Sequence, residues 1–219
     1  MKPDVQSYTS ELVVLVADLD TESTMRGLLQ RWQSLGIRKL EDGNGFDILR
    51  HPQRDAGCRS GAESFLDGFV RTHGNALVVF DHQGCGWDDR SAHAAENDLE
   101  RRLSDVGWAG RCAVVVIDPE LEAWVWSDSP NVDAVLGWTG RSPPLRTWLM
   151  TERLLEADRA KPANPKKAME RAMRAVNKPL SPHVFTQLAA TVSLGRCEDR
   201  SFLKLKRALQ QWFSLTAKL

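Results

Sequence analysis

Four short runs rich in β-branched and aliphatic residues limit what this chain can fold into. They are ELVVLVADLD (Glu11 to Asp20), GFDILRH (Gly45 to His51), NALVVFDH (Asn75 to His82) and RCAVVVID (Arg111 to Asp118). Each reads as a strand, and the first as a fully buried one. Helical spacing lies between them. Met25, Leu28, Leu29, Trp32 and Leu35 repeat at a helix period that Gly36 closes. SGAE (Ser60 to Glu63) fits a capping box ahead of Phe65, Leu66, Phe69 and Val70, and Leu99, Leu103 and Val106 mark a helix ending at Gly107. Alternating strands and helices predict an α/β fold, a mostly parallel four-stranded sheet with helices on both faces.

From about Pro143 the β-branched runs stop. Ser142, Asn164 and Ser181 each precede a proline, as a cap precedes a proline in a first helical turn. The last helix puts Phe202, Leu205, Leu209 and Trp212 on one side, with Lys204, Lys206 and Arg207 elsewhere. The expected division is an α/β domain over 1–142 and an all-helical region over 143–219 packed on it.

Of 219 residues, 42% are hydrophobic and 26% charged, the balance of an ordinary globular chain. No apolar run approaches the roughly 18 residues of a membrane span, and MKPDVQSYTS has no apolar signal core. Cys58, Cys85, Cys112 and Cys197 lie far apart without a CxxC pair, which argues for reduced thiols and against a thiolate zinc site. The expectation is a cytoplasmic protein with no membrane contact. Net charge is zero but uneven. Residues 1–150 hold 15 Lys and Arg against 23 Asp and Glu, and residues 151–219 hold 14 against 6. Either the acidic body holds metal while the basic tail holds phosphate, or the halves attract each other.

Three presumed strands end in acids: Asp18 with Asp20, Asp81, and Asp118. Carboxyl ends of parallel strands share one edge, where ligand sites form, and oxygen-rich clusters there suit Mg²⁺ or Mn²⁺. Asp18, Asp20 and Asp118 also read as helix caps. In VVVIDPELEAWVW (Val114 to Trp126) a helix beginning at Pro119 places Glu120 and Glu122 about 200° apart, so that one faces the strand ends and the other turns away. Trp124 and Trp126 would anchor that turn in the core.

VADLDTE (Val16 to Glu22), VVFDHQGCG (Val78 to Gly86) and DPELEAWVW (Asp118 to Trp126) resemble the motifs of a Toprim-like family of bacterial defence genes. KPANPKKAME (Lys161 to Glu170) and RCEDRSFLKL (Arg196 to Leu205) resemble its helical C-terminal segment. The ELEAW motif is the more specific part of the likeness. The resemblance implies a Toprim-like sheet, Mg²⁺-dependent phosphodiester chemistry akin to overcoming-lysogenization-type nucleases, and a place in a multi-gene anti-phage system, including the methylation-associated kind. Asp18 stands at the family's first Glu, and Glu22 at the Glu closing that motif; these are the candidate catalytic acid and base. Asp81 matches the first acid of D-x-D/E, Gln83 stands at the second, and Glu120 and Glu122 match the last motif; these four are the candidate metal ligands. Asp18 is shorter than the family's Glu, and Gln83 offers an oxygen but no charge, which implies weak metal binding. Asp88 and Asp89 stand in the following loop and are candidates to compensate.

Three functions are open. One is a Mg²⁺-dependent nuclease in which Lys166, Lys167, Arg171, Arg174, Lys204 and Arg207 contact nucleic-acid phosphates. One is a degenerate Toprim-like subunit that cleaves nothing and binds other proteins of a defence complex. The third is a small-molecule α/β enzyme, against which no GxGxxG, GxxxxGK[ST] or GxSxG motif occurs. His82, His93 and the glycine-flanked Cys85 read as loop residues.

Overall fold

The structure, a computed structural model, describes residues 8–87, 89–126 and 129–215. At its centre are strands β1 (Ser10–Val16), β2 (Phe46–Arg50), β3 (His73–Asp81) and β4 (Cys112–Ile117), in the order β2-β1-β3-β4. Every neighbouring pair is parallel; Val14 lies opposite both Ile48 and Leu77, and Val79 opposite Val115. The α/β class and the four expected strands are therefore present, consistent with a Toprim-like layout. β1 is apolar on successive residues because both its faces are covered. Leu12, Val14 and Val16 enter one core, and Val13 and Leu15 the other.

Helices α1 (Leu19–Leu29) and α2 (Trp32–Leu35) cover the first face, with Gly36 closing α2 in the left-handed region. Helices α3 (Arg54–Leu66) and α4 (Ala92–Leu103) cover the second. The connection leaving β1 thus crosses one face to β2, and the connection leaving β3 crosses the other, through α4, to β4. The two diverge between the carboxyl ends of β1 and β3, where open α/β sheets bind ligands.

Helices α5 (Pro130–Leu136), α6 (Leu145–Thr151), α7 (Pro165–Ala175), α8 (Pro182–Thr191) and α9 (Arg200–Trp212) follow. Leu149, Met169, Phe185 and Leu205 from these helices join the same core as the first sheet face. α1 and α8 cross closely at Gly27, where a Cβ would lie 2.8 Å from the Ala189 Cβ and 3.3 Å from the Thr186 carbonyl oxygen. The outer edge of β4 is held by side chains. The Val116 N–H donates to Glu96 Oε1 at 3.0 Å and the Val114 N–H to Glu100 Oε1 at 2.9 Å.

The expected caps differ in outcome. Asn164 caps α7 by accepting the Lys167 N–H at 2.9 Å, with Pro165 in the first turn. Ser181 holds the cap position of α8 without a side-chain bond. Ser142 is not a cap: the Ser142–Pro143 bond is cis and α6 begins only at Leu145. SGAE is not a capping box either, because α3 starts at Arg54 and Ser60 Oγ donates to the Ala56 carbonyl within it.

Candidate functional site

The acids gather at the carboxyl rim of the sheet. Asp18 follows β1 and caps α1, its Oδ1 accepting from the Thr21 N–H and hydroxyl, both at 2.9 Å. The cap reading of Asp18 is therefore realised, and it fixes the carboxyl at the rim. Asp81 ends β3. Its backbone N–H donates to Asp55 Oδ1 at 2.9 Å, and its own Oδ1 is enclosed without a hydrogen-bond partner. Asp55, in the first turn of α3, is a member that the strand-end pattern missed; the signal was an acid just after β2 at a helix start.

No α-helix begins at Pro119. The Asp118–Pro119 bond is cis, and a 3-10 turn spans Leu121–Trp124. The α-helical angle between Glu120 and Glu122 therefore does not apply. Both side chains are buried, and both act on Lys166 of α7. Lys166 Nζ sits 2.8 Å from Glu120 Oε1. Trp124 and Trp126 do anchor the turn, donating to Ser201 Oγ at 2.7 Å and the Pro165 carbonyl at 3.0 Å.

The electrostatics follow from too many acids for one lysine. Burial, then the charges of Asp55, Glu122, Asp18 and Glu120, push the Asp81 carboxyl well above the usual carboxylate range. Burial raises Glu122 to about 7, with Glu120 and Asp20 adding to the rise and Lys166 opposing it. Burial and then Asp18 raise Asp20. Burial also raises Asp55. The hydrogen bond to Glu120 raises Lys166.

Other singled-out residues lie apart from this centre. Glu22 bridges Arg26 at 3.1 Å and Arg50 at 3.0 Å. It lines a cleft of about 520 Å³ beside the rim with Asp18, Arg50, His51 and Arg54. Gln83 is exposed, and its backbone N–H donates to the Pro119 carbonyl. Asp118 turns outward, 3.4 Å from His82 Nδ1. Asp88 lies outside the described residues, and Asp89 is exposed. Among the expected phosphate contacts, Lys166 is held by Glu120, Arg171 by Glu152 at 2.7 Å, and Lys204 by Glu100 at 2.7 Å and Glu96 at 3.2 Å. Lys167, Arg174 and Arg207 are exposed. Lys166, Arg200 and Lys204 thus tie the basic helices to Glu120, Glu96 and Glu100 of the acidic body. The four cysteines are free, with Cys85 buried in its turn.

A hard divalent cation takes oxygen donors, and this donor set is oxygen alone, with the orphaned Asp81 Oδ1 as the atom most in need of one. The rim offers oxygen donors, the kind that Mg²⁺ or Mn²⁺ takes. Its spacing differs: among the described residues no three Asp, Glu, His or Cys side chains are grouped to hold a metal ion. Lys166 is the cation seated there. Among those residues, too, no helix is long and apolar enough to cross a membrane. Compared with models of known families, with curated proteins and with solved structures, the chain finds no match.

Proposed function

We propose that this chain is a Toprim-like component of a bacterial anti-phage defence system whose acidic rim serves Mg²⁺- or Mn²⁺-dependent cleavage of nucleic-acid phosphodiesters. One observation supports the reading: carboxylates that follow β1 and β4 and open α3 bear on the Asp81 carboxyl at the carboxyl rim, and an Asp81 oxygen has no hydrogen-bond partner. What a divalent ion supplies when bound is polarisation of a phosphate oxygen. Glu122, near neutrality in its proton affinity, can take or give a proton at physiological pH. Asp18 is held at the rim by its cap bonds to Thr21. Glu22, tied to two arginines, orients Arg26 and Arg50 beside the cleft. Lys167, Arg174 and Arg207 are the exposed cations left to meet backbone phosphates.

The test is calorimetric titration of Mn²⁺ into the wild type and Asp81→Ala, with a plasmid-nicking assay on both. Binding and nicking in the wild type, both lost in the variant, support the reading. A second reading is a non-cleaving subunit that binds a partner protein of the defence complex. It is favoured by the lysine held at Glu120 and by the neutral, exposed Gln83 at the position of the family's second acid. Absence of Mn²⁺ binding and of nicking at millimolar metal decides for it.

A further inference from the structure

Beyond the end of β3, next to the acidic rim, one indole ring is met by two guanidinium groups. We propose that Arg59, Trp87 and Arg90 form a stacking platform for an unpaired base of a nucleic-acid strand, with the two arginines also meeting its phosphates. The inference rests on the nucleic-acid reading above and names a surface for that partner apart from the carboxylates.

Trp87 packs against the second core and stays half-buried. The Arg90 guanidinium carbon lies 4.2 Å from its ring centroid and that of Arg59 4.9 Å, within the range of cation–π attraction. Backbone contacts hold the three in place. Arg59 Nε donates to the Cys85 carbonyl at 2.7 Å, and His82 Nε2 donates to the Arg90 carbonyl at 2.7 Å. The Arg90 N–H donates to the Trp87 carbonyl at 2.9 Å. Among the described residues no carboxylate pairs with Arg59 or Arg90. Arg101 and Arg102 of the neighbouring α4 are instead spent on Asp98, Asp105 and Glu63. A stacked arginine free of acids keeps its charge for phosphate, and its flat face extends the ring on which a base can lie. A paired base is closed within its duplex, so only an unpaired one can use such a face. The platform also adjoins the rim. Arg59 stands four residues after Asp55 on the same side of α3, and Asp55 accepts the Asp81 N–H. A strand laid over the ring therefore starts about one helical turn, about 6 Å along the axis, from those acids.

The experiment follows fluorescence anisotropy of labelled oligodeoxythymidine and oligouridine of about 12 nucleotides, and of a duplex of the same length, titrated with full-length protein in EDTA. Circular dichroism checks each fold. Trp87→Ala is expected to weaken single-strand binding roughly tenfold, and Trp87→Phe to retain most of it, with duplex binding changed less. Loss on either strand supports the platform and names DNA or RNA as its source. Arg90→Gln, at an exposed position, should lower the slope of log affinity against log salt by about 0.7. Unchanged single-strand affinity in folded Trp87→Ala, or an unchanged slope in Arg90→Gln, overturns the platform. So does a wild type that binds neither single strand at about 100 µM. Because EDTA removes metal, these outcomes are separate from nicking. Strand binding lost in Trp87→Ala of a protein that nicks nothing upholds the platform while the cleavage reading falls. Strand binding unchanged by Trp87→Ala in a protein that nicks plasmid leaves cleavage standing while the platform falls.

Discussion

Two places join the acidic body to the basic helices, and they are built to opposite ends. Beside β4, Glu96 is fully enclosed and fully satisfied. Arg200 donates to both its oxygens, at 2.8 and 3.1 Å, Lys204 lies at 3.2 Å, and the Val116 N–H completes the set. These partners outweigh burial and hold the Glu96 carboxyl below its ordinary range. At the rim, one lysine faces several acids, an Asp81 oxygen has no partner, and the carboxyls of Asp81 and Glu122 rise. A saturated ion cluster is a structural joint; an undersaturated one is poised to take up something else.

The largest effect that would test this contrast is at the joint. Glu96→Gln should cost about 3 kcal/mol in urea unfolding, since it strands the Arg200 pair and weakens the bond to an edge-strand amide. A loss under about 1 kcal/mol would erase the distinction. Asp81→Asn should act oppositely, raising stability in urea unfolding at pH 8, because it removes a charge the native state holds unfavourably. Glu122 sharpens the comparison through pH. Its folded pKa of about 7 exceeds its ordinary 4.5, so the native state binds the proton more tightly and stability drains away as pH rises from about 4.5 to about 7. Glu96, lowered, contributes stability above its ordinary range and loses it as pH falls through its own pKa. Glu122→Gln should flatten the loss between pH 5 and 8, by roughly 2 to 3 kcal/mol in denaturation series at the two pH values. The smallest effect is Lys204→Met, under about 1 kcal/mol, because Arg200 still satisfies Glu96.

The sheet was legible because its strands are continuous β-branched runs that both faces must bury, a pattern few other elements produce. Asp18 and Asp81 were legible as rim residues by the same logic, since a strand's last residue inherits the sheet's polarity. Asp55 was not, because its place depends on the crossover of α3 beneath the sheet rather than on any strand. The α-helical geometry expected for Glu120 and Glu122 does not hold: the tight turn at Leu121 leaves both buried, Glu120 in contact with Lys166 and Glu122 within the field of its charge. The pairing of Lys166, Arg171 and Lys204 with acids depends on how α7 and α9 dock, and a local run of basic residues looks the same whether it faces solvent or a carboxylate.

The carboxylates along β4 also bear on how wide this sheet can grow. The amides of Val114 and Val116 are already engaged by Glu100 and Glu96, and an Arg200 N–H donates to the Val116 carbonyl at 3.4 Å. A fifth strand arriving on that flank would first have to strip two charged groups from the backbone and leave them dry. Accretion of further chains by edge pairing is barred there, and a visiting polypeptide must find its purchase on another surface.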